Sequence, residues 1–342
     1  MTDPVTPPRL VLRRHPAPAA LVARRARLLA ALRGWLDARG LVEADVPVLL
    51  PHAGQEVHLH APAVVLHGLP GRLWLQTSPE LCLKRLVCAG VPRVYALGPA
   101  FRAGPEELSR LHQPQFTMLE WYRPGSDPAD LVDDVLGLAG AAAGALDVAA
   151  PGPGRVLDVR EAFAELAGCP LDPLLDGDAA GFAVAARSAG ITTCRDDDPP
   201  ATLFGRVLVE RVEPALARLP GLVFLTDWPR FAAGLARLHD DDPRVAGRVE
   251  AYLGGVELAN GYVELDDPDE HRRRWLAERA ARSDEAPPWD EALLGDLATS
   301  GMPPTVGMAL GVDRLMLALC GEAALADVMP FHLARATGDA PA

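Results

Sequence analysis

The segment Gln115-Phe-Thr-Met-Leu-Glu-Trp-Tyr122 constrains the fold more than any other part of the chain. It alternates as a strand does, so Phe116, Met118, Glu120 and Tyr122 share one face, and Thr117, Leu119 and Trp121 share the other. One face therefore carries an aromatic ring, a carboxylate and a phenol side by side. A carboxylate among apolar neighbours is costly unless a cation or a hydrogen-bond donor meets it. A bound ammonium group would do so, and so would an internal arginine.

The rest of the chain supplies the layers such a strand needs. Leu28, Leu29, Leu32, Trp35 and Leu36 recur at helical spacing within Leu21–Arg39, and Gly40 provides a stop. Leu41–Val46 reads as a short strand closed by Pro47. Further strands are predicted at Arg93–Leu97, Gln115–Tyr122, Val223–Leu225 and Arg248–Leu265. Helices are predicted at Leu131–Leu146, Arg206–Leu219, Glu270–Ala281, Trp289–Ala298 and Arg314–Leu319. Residues of about 126–220, rich in alanine, glycine and aspartate, read as a helical insertion. The expected division is an N-terminal arm over 1–20 and a catalytic-type domain over 21–342. Strands run together with helices before and after them, which predicts an α+β fold with a mixed, mainly antiparallel sheet flanked by helices.

Composition narrows the function classes. There are 46 acidic and 33 basic residues, a net charge of −13, which opposes extended nucleic-acid binding. The start is locally basic, at Arg9, Arg13, Arg14, Arg24, Arg25, Arg27 and Arg33, and reads as a solvated helix face or as a docking surface for an acidic partner. No apolar run is long enough for a membrane span and the N-terminus lacks the apolar core of a secretory signal, so a cytoplasmic location is expected. None of the five cysteines forms a CxxC pair, which predicts small buried thiols instead of a zinc site. Lys84 is the only lysine, amid heavy use of arginine, alanine and proline, and carries no mechanistic signal by itself.

Two more segments hold chemistry. In Glu250-Ala-Tyr-Leu-Gly-Gly-Val-Glu257-Leu-Ala-Asn260-Gly-Tyr-Val-Glu264, a hairpin turn centred on Leu253-Gly254 sets Glu250 opposite Glu257. Like charges so placed repel, and Mg²⁺ accepts one or two carboxylates and completes its shell with phosphates. Two solvated surface glutamates would give the same pattern. In Gly307-Met-Ala-Leu-Gly311-Val-Asp313-Arg314, a strand passes through a glycine into a helix whose first turn bears an arginine, which favours a phosphate.

Taken in order, these segments resemble the three signature motifs of class II aminoacyl-tRNA synthetases: the helix and strand ending at Pro47, then Arg102 to Tyr122, then Gly307 to Arg314. TSPELCLKRL around Glu80, HQPQFTMLEWY, GGVELANGYVEL and GMPPTVGMALGVDR are similar to lysyl-tRNA synthetases, and most similar to their short paralogues, the elongation factor P (R)-β-lysine ligases. Full synthetases carry an anticodon-binding domain before this core, whereas about twenty residues precede the first helix here, so a short paralogue is expected; Ala259 before Asn260 also fits the short paralogues. The resemblance implies activation of lysine or (R)-β-lysine with ATP and Mg²⁺, and transfer of the acyl group to elongation factor P by a homodimer. It implies that Phe116 stacks on adenine with His112 and Arg314 at the nucleotide, Arg102 bridges the carboxylate and the α-phosphate, and Glu250 and Glu257 hold Mg²⁺. Glu80 would meet the nearer amino group, Glu120, Tyr122 and Glu264 the distal ammonium, with Ala259 and Asn260 lining the substrate. Two departures stand out: Arg102-Ala-Gly-Pro-Glu-Glu107 carries about two extra residues, leaving Glu106 or Glu107 for the nucleotide contact, and Gln115 replaces a glutamate. Transfer to tRNA or a carrier protein is a second enzymatic reading, disfavoured for tRNA by the charge. A silent regulatory subunit is a third, opposed by the presence of Arg102, Phe116, Glu250, Glu257 and Arg314.

Overall fold

The computed structural model describes residues 10–336. Its centre is an eight-stranded sheet built from β1 (Val42–Glu43), β2 (Val94–Phe101), β3 (Gln115–Pro124), β4 (Pro153–Asp158), β5 (Leu222–Pro229), β6 (Val245–Leu253), β7 (Val256–Val263) and β8 (Thr305–Gly311). The spatial order is β1-β2-β3-β8-β7-β6-β5-β4. Only the outermost pairs, β1 with β2 and β4 with β5, are parallel. The fold is α+β, as the alternation and element order predict.

The two faces of β3 part as expected. Leu119 and Trp121 enter the main core with Leu28, Leu32 and Leu36 of α1 (Pro18–Asp37), Leu131, Val135 and Leu138 of α3 (Pro128–Leu146), and Leu315 and Met316 of α6 (Val312–Cys320). Trp121 donates its indole N–H to Asp134 at 2.9 Å, so the largest buried side chain has no unmet polar atom. The other face packs Tyr122, Val94 and Ala96 against α2 (Glu80–Cys88), Trp275 of α4 (Pro268–Ala281) and Leu293, Leu294 and Leu297 of α5 (Glu291–Thr299). The open part of that second face is where the clefts lie.

Three expectations change. Helix α3 falls within the expected insertion, yet its 131–135–138–142 stripe packs into the main core against α1. A separate core begins only after it, around Phe163, Phe182, Phe204 and Trp228. Of the expected arm, Leu10–Arg14 is a strand paired antiparallel with Phe331–Arg335, and residues 1–9, with Arg9, lie outside the described residues. Basic side chains on α1 are largely engaged internally: Arg25 pairs with Asp313 at 2.6 Å and donates to Thr117, while Arg27 reaches Asp147 and Arg33 reaches Glu43. All five cysteines are free, and Cys88, Cys169 and Cys194 are buried. Among the described residues no helix is long and apolar enough to cross a membrane.

Candidate active site

Two clefts meet on the open face of the sheet. The first is bordered by Glu56, Ser78, Glu80, Glu120, Tyr122 and Glu264, and the second by His112, Phe116, Glu257 and Arg314; Arg102, Met118, Asn260 and Ala309 border both. Strand alternation explains the sharing, because Phe116 at one end of β3 and Tyr122 at the other face the same way with Met118 between them. Arg102, at the end of β2, sits at the junction. Its guanidinium lies 5.2 Å from the Phe116 ring centroid, and its Nε has no hydrogen-bond partner.

The first cleft is dominated by buried carboxylates. Glu120 accepts from Ser78 Oγ and from Tyr122 OH, each at 2.7 Å. Neither donor is a cation, and burial, with the charge of Glu80 adding to it, pushes Glu120 up to about 8. Glu264 and Glu80 are arranged differently. The fully buried ammonium of Lys84 lies 2.8 Å from Glu264 Oε2 and 2.5 Å from Glu80 Oε1. Burial works to discharge that ammonium, yet Glu264 and Glu80 outweigh it and hold Lys84 above the ordinary lysine range. On its side, Glu264 is raised by burial to about 7, with Lys84 opposing. The internal cation that an isolated Glu120 called for is therefore a lysine, and it serves Glu264 and Glu80 instead.

Gly307 of β8 is what leaves room for this arrangement. A Cβ there would lie 2.4 Å from Glu264 Oε1 and 2.5 Å from the Tyr122 ring. No side chain fits without displacing both.

On the β6–β7 hairpin the register differs from the expected one. The turn falls on Gly254 and Gly255, both with positive φ (58° and 79°), which favours a glycine pair. Leu253 thus faces Val256, Tyr252 faces Glu257, and Glu250 faces Asn260, not Glu257. A bulge follows, with Ala251 opposite Ala259. That extra residue, Leu258, keeps Glu250, Glu257 and Asn260 on one face of the hairpin. Glu250 is buried, accepts from Arg248 and Tyr252, and is pushed up to about 7 by desolvation, with Arg248 opposing and the charge of Glu257 adding to the rise. Glu257 is more exposed and lies 3.5 Å from Arg314. Among the described residues no group of three or more potential metal ligands occurs. A pair of neighbouring carboxylates fits Mg²⁺ that takes the rest of its shell from phosphate and water.

The second cleft holds the expected nucleotide residues. Arg314 opens α6 and donates to His112 Nε2 (2.7 Å), Leu111 O (3.3 Å) and Glu257 O (3.2 Å). Burial and the charge of Arg314 push His112 down, so it accepts that bond as a neutral ring. Of the two alternatives in the lengthened loop, Glu107 is buried against this cleft and Glu106 is exposed. Gln115 is exposed and does not border the cleft.

Eleven of the twelve expected site residues border one or both clefts, and the twelfth, Glu250, stands beside them on the same hairpin face. Ala259 departs from expectation. Alternation turns its methyl into the main core, and it borders the nucleotide cleft without reaching the amino-acid cleft. Asn260 beside it is held by Arg248 Nε (3.2 Å) and by Tyr262 OH (3.1 Å). Sequence reasoning missed Lys84, Ser78, Glu56 and Arg248. Lys84 had a signal: it stands four residues after Glu80, on the same face of a helix. Ser78, whose hydroxyl also accepts from the backbone N–H of Glu80 at 3.0 Å, had none.

Comparisons with known proteins place the chain in a family. The family described as tRNA synthetases class II (D, K and N) matches residues 8–335. An elongation factor P--(R)-beta-lysine ligase of Pectobacterium atrosepticum is 39% identical over 334 residues, covering 93% of this chain and 98% of the relative. Proteins of the same description from Pectobacterium carotovorum and Vibrio cholerae are 37% and 35% identical, covering 93% and 91% of this chain and 98% and 95% of theirs. With near-complete coverage in both directions, the chain belongs to the class II tRNA synthetase family and, within it, to the elongation factor P (R)-β-lysine ligases.

Proposed function

We propose that the protein activates lysine or (R)-β-lysine with ATP and transfers the aminoacyl group to a lysine side chain of elongation factor P. The observation that carries this reading is the pair of adjoining clefts with Arg102 at their junction, one lined by buried carboxylates and the other by an aromatic ring and an arginine. A substrate with an ammonium at its far end suits Glu120, whose two hydroxyl donors leave it without a cation. The nearer amino group faces Glu80, and Asn260 orients the carboxylate. Phe116 and Arg314 take the adenine and phosphates, with His112 as acceptor for Arg314.

The substrate carboxylate is already ionised at neutral pH, so the first step needs no base. Arg102 steadies both the carboxylate and the α-phosphate, and placement with fixed charge supplies most of the acceleration. Mg²⁺ at Glu250 and Glu257 would screen the phosphate charge. Motif 1, which begins with α1, supports assembly as a homodimer, and the cytoplasm is the compartment proposed. The test is ATP–pyrophosphate exchange with each lysine isomer, followed by mass spectrometry of elongation factor P incubated with enzyme, ATP and amino acid. A mass increase of one lysyl residue on the factor is expected. Exchange without any mass increase would remove the acceptor assignment.

A further inference from the structure

The carboxylate Glu56 has no part in the activation step described above. It is set on the loop after Pro51 and borders the amino-acid cleft. One of its oxygens, Oε2, is sealed from solvent and has no hydrogen-bond partner. Glu264 Oε2 is likewise without a hydrogen bond, yet it lies 2.8 Å from the Lys84 ammonium, which also meets Glu80. Glu120 holds two hydroxyls and Glu250 is met by Arg248 and Tyr252, so Glu56 is set apart by having neither cation nor side-chain donor. A buried polar atom left unmet costs free energy, and such atoms in native structures call for a reason.

Glu56 also borders a third cleft, which shares Glu56, Leu235 and Trp275 with the amino-acid cleft as lining. The walls of this third cleft are apolar at Phe231, Leu238 and Ala277, with Glu278 beside Glu56. Glu278 is occupied by the backbone N–H of Val57 at 2.8 Å, and the cleft's Arg273 and Arg274 are tied to Glu270. Arg230 also borders this cleft and is exposed. An aliphatic stem ending in an amine matches a cleft with apolar walls that is bordered by a free carboxylate.

We propose that this third cleft admits the acceptor's lysine side chain and that Glu56 takes the proton its amine loses on acylation. The inference rests on the proposed transfer to a lysine amine. The ammonium gives one proton to solvent at the cleft mouth and reaches the adenylate as a neutral amine. Its nitrogen lone pair attacks the carbonyl carbon, the C–N bond forms, and the C–O bond to phosphate breaks with AMP leaving on the electron pair. The nitrogen's remaining excess proton passes to the Glu56 carboxylate and from there to water, so the products are the amide, AMP and two protons, one released before attack and one through Glu56. Burial and the charge of Glu80 push Glu56 up to about 7, with Glu278 adding and Arg102 opposing. A carboxylate in that range both accepts and returns a proton near neutral pH.

The experiment compares wild type, Glu56→Gln and Leu238→Trp in single-turnover transfer from a preformed lysyl-adenylate. The acceptors are elongation factor P, N-acetyl-lysine methylamide, and hydroxylamine, whose weakly basic nitrogen gives up its excess proton to water after attack without needing a base on the protein. Pyrophosphate exchange is measured in parallel. Transfer by Glu56→Gln to both lysine amines should fall about a hundredfold more than exchange does, as for a lost general base. Trapping by hydroxylamine should keep the wild-type rate. Leu238→Trp should slow elongation factor P and spare hydroxylamine. Equal losses in transfer and exchange, or an undiminished transfer rate in Glu56→Gln, would overturn the assignment of Glu56. An undiminished rate to elongation factor P in Leu238→Trp would overturn the entry route. If wild type makes adenylate but acylates neither lysine amine, the transfer reading itself fails, independently of what Glu56 does.

Discussion

The two adjoining clefts solve opposite electrostatic problems. The amino-acid cleft concentrates negative charge where water is excluded, and it contains its own counter-ion, the fully buried Lys84. In the nucleotide cleft the cation is partly exposed: Arg314 rests on a neutral histidine, two carbonyls and a half-exposed glutamate. The first is therefore built for a fixed charge pattern and tolerates little change. The second holds its cation on exchangeable partners that incoming phosphates can replace. Mutations should be severe in the first and graded in the second.

Removing the internal cation is the strongest way to break that contrast. Lys84→Met leaves Glu80 and Glu264 facing each other without compensation, and is expected to cost about 3–5 kcal/mol of stability, as for a buried pair that loses one partner. Urea denaturation measures it, and Lys84→Met/Glu264→Gln should recover part of the loss. A Lys84→Met variant as stable as wild type would show that the pair is not a structural counter-ion.

Next in size is the seat of the substrate ammonium. Glu120→Ala should weaken lysine by about 2–5 kcal/mol while ATP binding stays within twofold or so, as when a desolvated charge pair loses one member. Calorimetric titration with lysine and with ATP separates the two. Equal weakening of both ligands would mean that the clefts are not distinct.

In the nucleotide cleft, Arg314→Ala should weaken ATP by only about 1–2 kcal/mol, because its charge-assisted bonds form against partial solvation. A loss as large as that of Glu120→Ala for lysine would erase the contrast.

Much of this was legible in the sequence, and the reasons are specific. Period-two alternation in Phe116–Tyr122 assigned both faces of β3, since a strand with one buried face leaves no freedom of register. The hairpin register was not legible, because Leu253-Gly254-Gly255 permits two turns one residue apart and the bulge at Leu258 has no local sequence mark. The helical stripe of α3 showed that a helix forms, but not that its partner would be α1, more than a hundred residues away along parts of their contact. Lys84 was passed over since a single lysine in an arginine-rich chain looks compositional until the fold places it between two carboxylates.

The contrast also predicts a pH dependence of the amino-acid cleft alone. Glu120 stands at about 8 in the free protein and must be ionised to hold an ammonium. Lysine binding then releases a proton, so affinity should rise with pH below about 8, approaching tenfold or about 1.4 kcal/mol per unit. The same raised value means that Glu120's own contribution to stability of the free protein is full below its unfolded value and is lost as pH rises through about 8. ATP binding is the control. A lysine affinity flat between pH 6 and 8 would show that Glu120 is already ionised before binding.

The central claim is that buried carboxylates read an ammonium at the far end of the amino acid. Pyrophosphate exchange by the wild-type protein with lysine, β-lysine and norleucine tests it most directly, since norleucine keeps the chain length of lysine and lacks the charge. One or both lysine isomers should support exchange, with norleucine lower by about thirtyfold or more, as expected when the site's charge is left unpaired. Norleucine activated as well as either isomer would contradict the account.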